Sequence, residues 1–223
     1  MDRRIFIAAG GAAVAAAGGV WYGLTRGGDT GVTQIAAAQN ETPDDIDTSS
    51  IVEMVQGDPN APVTLMEYAS FTCPHCASFH AGPYKQLKTE YIDTGKVKFI
   101  YRDVYFDKYG LWAAMIARCT GPMRFFGISD MLFDRQKEWL AADTEAGIAN
   151  NLRNIGKVAG LDNDTIEACL SDDQKARELV AWYQKNATAD EVNATPTLFI
   201  NGVKHSNMTY ADLKKLIDEA LAG

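Results

Sequence analysis

Residues 61–76 read APVTLMEYASFTCPHC, and the order of its two halves decides the fold. The first ten residues are apolar along most of their length, the pattern of a central strand buried on both faces. CPHC follows at once and opens a helical stretch from about Cys73 to Tyr91, closed by Asp93-Thr94-Gly95. The next run, VKFIYRDVYF (Val97 to Phe106), is again strand-like. Strand, helix and strand in this order imply a parallel pair joined by a right-handed crossover.

A C-x-x-C pair alone is a redox pair, half of a zinc site or a structural staple. Zinc generally requires four Cys or His ligands, and the other two cysteines, Cys119 and Cys169, lie far off in a helical region. The position of Cys73, where a buried strand ends and a helix begins, argues for redox chemistry. The first helical turn has unpaired N–H groups and the positive end of the dipole, and both favour a thiolate. Pro74 falls at the first helical positions, where its missing N–H costs nothing. His75 adds a neighbouring group that can be cationic and lower the thiol pKa further. Thiols so placed titrate anywhere from about 3.5 to 7.5. Cys76, one turn into the helix, is then the more buried, resolving thiol.

Upstream, a short β-like run from Ile51 to Val55 precedes a turn at Gly57-Asp58-Pro59-Asn60. Downstream, residues 107–190 show only helical periodicity. Candidate helices are Leu111–Cys119, Met123–Leu140, Thr144–Val158, Asp164–Ser171 and Gln174–Ala189, with Asp162, Asn163 and Asp172 as caps. Period two then returns in TPTLFING and VKHSN around Asn201-Gly202, a strong hairpin signal. A last helix spans Tyr210 to Leu221. The order is βαβ, a helical block, then ββα.

The N-terminus reads separately. Arg3 and Arg4 precede the weakly hydrophobic run IFIAAGGAAVAAAGGVWYGL, so residues 1–24 are an export signal or, through residues 5–24, a membrane anchor. RRIFI resembles a twin-arginine signal. Ala36-Ala37-Ala38 offers a small-residue cleavage site, and residues 25–49 read as a flexible stalk. Export places the four cysteines in an oxidising compartment. That setting and the even count favour a second disulfide between Cys119 and Cys169, two buried free thiols being the alternative. The sequons at Asn186 and Asn193 read as chance. The net charge of −8 with no Lys/Arg cluster excludes a nucleic-acid partner.

FTCPHC after a buried strand, the helical insertion, and Thr195-Pro196 before a hairpin together resemble the DsbA-like branch of the thioredoxin superfamily. The resemblance covers about Ile51 to Leu221. It implies an α/β thioredoxin fold: a central mixed sheet flanked by helices, with a helical insertion at about 107–190 inside a domain spanning 50–223. It makes Cys73 the exposed nucleophile and Cys76 its partner. It makes Pro196 the cis-proline facing the disulfide, with Thr195 offering backbone to an extended substrate, and Glu67 a buried carboxylate that moves the resolving thiol's proton. The family's best-known oxidase places a lysine opposite that carboxylate. The matching position here is Tyr101, with Arg102 beside it. Second disulfides like Cys119–Cys169 occur in some relatives.

The activity implied is oxidation of dithiols in newly exported proteins within the periplasm, without metal or organic cofactor, and with reoxidation by a membrane quinone-coupled partner. Thr195 before the proline also occurs in relatives that isomerise or reduce disulfides, so that alternative stands beside oxidation. A reading of another class is a periplasmic metal-binding protein using Cys73, Cys76 and His75 as soft ligands for Cu(I) or Zn(II). His80 and His205 carry no motif and read as surface or partly packed. Phe71, Tyr105, Phe106 and Tyr109 are candidates for an apolar groove near the site, with core packing expected for at least half of them.

Overall fold

The computed structural model describes residues 42–223, so the expected signal or anchor and most of the expected stalk lie outside the described residues. The apolar run at 61–70 becomes β2 (Val63–Ala69) at the centre of a five-stranded sheet. β1 (Met54–Gln56) pairs antiparallel with β3 (Val97–Asp103), and β3 lies parallel to β2. On the other side, β4 (Thr197–Ile200) runs antiparallel to β2, and β5 (Val203–Ser206) forms an edge. Leu65, Tyr68 and Ala69 of β2 are inaccessible to solvent, as a strand covered on both faces requires. Asn201 and Gly202 both take positive φ, 47° and 84°, the backbone that a two-residue hairpin turn demands.

The helix expected over Cys73–Tyr91 is three pieces: α1 (Pro74–Ala81), α2 (Pro83–Leu87) and a π turn over Lys88–Ile92. Pro83 causes the first break, because it has no N–H to continue the ladder and its ring crowds the preceding turn. The strand expected to reach Phe106 stops at Asp103, whose side chain is buried against Arg118.

The insertion consists of α3 (Lys108–Arg118), α4 (Pro122–Asp134), α5 (Gln136–Trp139), α6 (Glu145–Val158), α7 (Asn163–Leu170) and α8 (Asp173–Ala189). Asp107, Thr144, Asp162 and Asp172 cap α3, α6, α7 and α8 through their side chains. The single helix expected over Met123–Leu140 is broken at Arg135, whose φ of −108° and ψ of 18° leave the helical region. That break turns α5 so that Gln136 is buried against the segment before α1. α4 packs its buried face, Phe125, Ile128, Leu132 and Phe133, into the same core as the sheet. α9 (Tyr210–Ala222) closes the fold with Leu213 and Ile217 buried.

Residues 42–49, the end of the expected stalk, are fastened rather than free. Lys185 of α8 donates to the Ile46 carbonyl at 2.9 Å, and Ser50 donates to Glu178 of the same helix. Among the described residues no helix is long and apolar enough to cross a membrane.

Candidate active site

Cys73 is the N-cap of α1, with extended φ and ψ of −81° and 119°, and Pro74 is the first helical residue. The two cysteines are free thiols, and both are largely buried, Cys76 completely. Cys73 Sγ donates to the carbonyl oxygen of Thr195 at 3.5 Å, and the Thr195–Pro196 peptide bond is cis. β2 and β4 are neighbours, so the ends of two adjacent strands bring the thiols and this loop together.

The two thiols are driven apart in acidity. The Cys76 thiol donates to Cys73 and is the main reason Cys73 is lowered to about 5. Burial opposes this, while the Thr195 side chain and the backbone N–H groups of Cys76 and His75 lower it further. Thr195 Oγ1 is buried with no other hydrogen-bond partner, so its hydroxyl is available to a thiolate. Cys76 moves the other way: burial pushes it far above the usual thiol range, helped by its bond to Cys73 and by the charge of Glu67. The result is a nucleophile that is ionised at neutral pH in front of a thiol that keeps its proton. His75 contributes through its backbone N–H, and its exposed side chain lies on the rim of a groove.

That groove, about 550 Å³, is walled by His75, Thr195, Pro196, Lys204, His205 and Asn207. It is polar. The aromatic residues expected to line an apolar groove are elsewhere. Phe71 is a core residue stacked on Tyr101 and tilted against Phe133. Tyr105 and Tyr109 pack against the core, and Phe106 is 59% exposed. His205 lines the groove, as a partly packed residue.

Behind the thiols, Glu67 is fully buried, and its partner is neither Tyr101 nor Arg102. Tyr101 stands directly opposite Glu67 in the parallel β2–β3 ladder, but its hydroxyl donates to the Ala69 carbonyl at 3.4 Å. Arg102 pairs with Glu53 and Asp190 instead. The group that meets Glu67 is His80, whose Nε2 lies 2.9 Å from Oε2. The reading of His80 as a surface or partly packed residue is therefore corrected: it is 3% exposed. Its place one turn after Cys76 on α1, in register with the buried face, is the only hint the sequence carries.

Gln136 is a second residue that the sequence reading passes over. Its Nε2 donates to the carbonyls of Phe71 and Cys73, at 2.7 and 3.0 Å. The insertion thus holds the strand-to-helix turn that carries Cys73. Away from the site, Cys119 at the end of α3 is bonded to Cys169 on α7, with Cα atoms 5.7 Å apart. Among the described residues, no three His, Cys, Asp or Glu side chains come together as a set that could hold a metal. Cys73, Cys76 and His75 therefore do not converge as the metal-binding alternative requires.

Residues 49–219 match the family model described as Thioredoxin. The chain belongs to the thioredoxin family. Within this family it is DsbA-like. It is 28% identical to, and superposes with a TM-score of 0.71 on, alpha-DsbA1 of Wolbachia pipientis, over 76% of this chain and 91% of that one. A Rickettsia bellii relative provisionally named protein-disulfide oxidoreductase is 32% identical over 76% of this chain. This thioredoxin-family chain spans 64% of that relative's length. Disulfide bond formation protein D of Bacillus subtilis is 28% identical, over 76% of this chain and 77% of that protein. The family's fold, with its mixed sheet and helical insertion, is the one described above.

Proposed function

We propose that the protein is a thiol–disulfide oxidoreductase that introduces disulfides into exported proteins through a Cys73–Cys76 redox disulfide. The observation that carries this reading is the asymmetry of the two thiols. Cys73, with a depressed pKa, faces the Thr195–Pro196 loop, and Cys76 lies sealed behind it. In the oxidised enzyme a substrate thiolate attacks Cys73 Sγ, the Cys73–Cys76 bond breaks, and Cys76 takes up a proton. A second substrate thiolate then attacks the substrate sulfur of the mixed disulfide and expels Cys73 as a thiolate. Two electrons pass from substrate to enzyme, and one net proton is released because Cys73 leaves ionised. A thiolate stable at neutral pH is a good leaving group, which favours donation of the disulfide.

Pro74 and His75 shape the helix start, Thr195 and Pro196 receive an extended peptide, and Glu67 serves the proton of Cys76. Cys119–Cys169 is a structural cross-link. The periplasm is the compartment this chemistry suits, with the protein released or held by residues 5–24, and a membrane quinone-coupled protein is the reoxidant. The name of the Bacillus subtilis relative, a disulfide bond formation protein, favours oxidation. Isomerisation or reduction by the same site is the alternative that Thr195 keeps open.

Equilibration with glutathione mixtures, followed by alkylation and mass spectrometry of each cysteine, tests the assignment. A Cys73–Cys76 potential well above about −200 mV supports a disulfide donor, and one near about −270 mV sinks it in favour of a reductase. Cys76→Ala should trap substrate proteins as mixed disulfides on Cys73.

A further inference from the structure

Glu67 and His80 form an ionisable pair inside the core, and half of their polar atoms have no partner. Oε2 and Nε2 meet at 2.9 Å, while Oε1 and Nδ1 are buried and make no hydrogen bond. Such a pair is costly to keep, because each unsatisfied buried polar atom loses its hydration without replacement. Two apolar side chains would fill the space at less cost. The pair is instead built in firmly: the His80 ring stacks on Phe133 with centroids 4.0 Å apart and leans on Tyr84 at 4.4 Å. It lies one helical turn beyond Cys76, which is inaccessible to solvent and close enough to feel the charge of Glu67.

A buried thiol that is released from a disulfide must be given a proton, and one that forms a disulfide must lose it. The titratable groups around the pair are Cys76 on α1, Tyr84 on α2, Tyr101 on β3 and Asp130 on α4. Tyr84 donates to Gln56 and Tyr101 to Ala69, so both hydroxyls are engaged elsewhere. Burial raises the Asp130 carboxyl, but it is only partly buried and keeps contact with solvent. That leaves the Glu67–His80 pair as the group that can hold a proton beside Cys76 without exposing a net charge.

We propose that His80 is a positioning residue which, through Glu67, stores the proton that Cys76 takes up when the Cys73–Cys76 disulfide is reduced. The inference rests on the thiol–disulfide reading of these cysteines. When the Cys73–Cys76 bond breaks, the pair gives one proton to the Cys76 sulfur and is left as carboxylate and neutral imidazole. When the second substrate thiol ionises, its proton restores the pair. The store is unchanged over the cycle.

The test measures the rate at which dithiothreitol reduces the Cys73–Cys76 disulfide of the full chain between pH 5 and 9, in wild type, His80→Gln, Glu67→Gln and the double variant. His80→Gln should slow the reaction by roughly a hundredfold and change the shape of the pH profile. The double variant should be no slower than the worse single, because one store is removed either way. A His80→Gln profile parallel to wild type, or losses that multiply in the double variant, would assign His80 a packing role and overturn the proposal. Nitrogen-15 spectra of the wild-type histidines remain available should a variant fail to fold. The His80 ring signals must differ between the oxidised protein and a mixed disulfide held on Cys73, where the pair has given up its proton, and an unchanged ring overturns the proposal. Wild-type protein that does not exchange with dithiols at all would overturn both this inference and the function it rests on.

Discussion

Cys73 and Thr195 address each other twice: the thiol donates to the Thr195 carbonyl, and the buried Thr195 hydroxyl is free to donate back to the thiolate. One residue of the cis-proline loop therefore serves both protonation states of the nucleophile. The backbone carbonyl holds the neutral form in place, and the hydroxyl joins the Cys76 thiol in stabilising the charged form.

The ionisation of Cys73 has a stability consequence with a definite sign. Its folded value of about 5 lies below the ordinary thiol value of about 8.5. The thiolate therefore stabilises the reduced protein fully above the ordinary value, and this contribution is lost as pH falls through about 5. The oxidised protein has no such group. Urea unfolding of both forms should show the reduced form gaining on the oxidised form between pH 5 and pH 8. The thiolate absorbance should titrate with a midpoint near pH 5. A difference between the two forms that stays flat with pH would contradict the assignment.

Gln136 ties the insertion to the nucleophile. Gln136→Leu keeps the volume but leaves the buried Phe71 carbonyl without its donor, whereas the Cys73 carbonyl still accepts from Ala77. The cost should be about 1–3 kcal/mol. The turn that aims the His75 and Cys76 N–H groups at Cys73 loosens, so the thiolate midpoint should rise. Unfolding by urea and absorbance titration read the two effects separately. A midpoint that does not move would mean the turn holds its shape without the insertion.

Arg118 and Asp103 form a buried pair at 2.7 Å, and Arg118 also donates to the Val52 carbonyl. Burial already raises the Asp103 carboxyl above its usual range, and Arg118 partly offsets this. Arg118→Met should cost about 3–5 kcal/mol, because the carboxylate is left buried and alone. The carboxyl is then raised further, so its protonated form is the one the fold tolerates. The deficit should therefore shrink as pH is lowered from 8 to 5. Adding Asp103→Asn should recover part of the loss. A deficit independent of pH would mean that lost packing, not the stranded charge, sets the cost.

The parts of the fold that were legible in the sequence are those set by local pattern. The double-sided apolar run before Cys73, the Asn201-Gly202 turn and the side-chain caps at Asp162 and Asp172 each act through neighbours a few residues away. The helix breaks at Pro83 and Arg135 differ in this respect. The first has a local cause that a continuous periodic pattern hides, and the second is compensated by contacts that Gln136 makes with residues 63 and 65 positions away. The sequence places the partner of Glu67 on the strand opposite, where Tyr101 does stand in register. It comes instead from the helix above the sheet, and a lone histidine in a helix carries no mark of what it will touch.

The Cys119–Cys169 bond closes a loop with a sequence separation of 50, joining the third and seventh helices of the chain within the insertion. A cross-link of that span removes conformational freedom from the unfolded chain. On chain entropy alone this stabilises the fold by about 4 kcal/mol, and measured values for native disulfides run about 2–5 kcal/mol. The Cys119→Ala, Cys169→Ala double variant should therefore lose about 2–4 kcal/mol. It should be compared with wild type while the Cys73–Cys76 pair is oxidised in both, so that only one cross-link differs. Because the bond acts on the unfolded ensemble, the denaturant dependence should also steepen as that ensemble expands. A loss below about 1 kcal/mol with an unchanged slope would mean that α3 and α7 stay together in the unfolded chain without the bond. The insertion would then be held by its apolar packing alone.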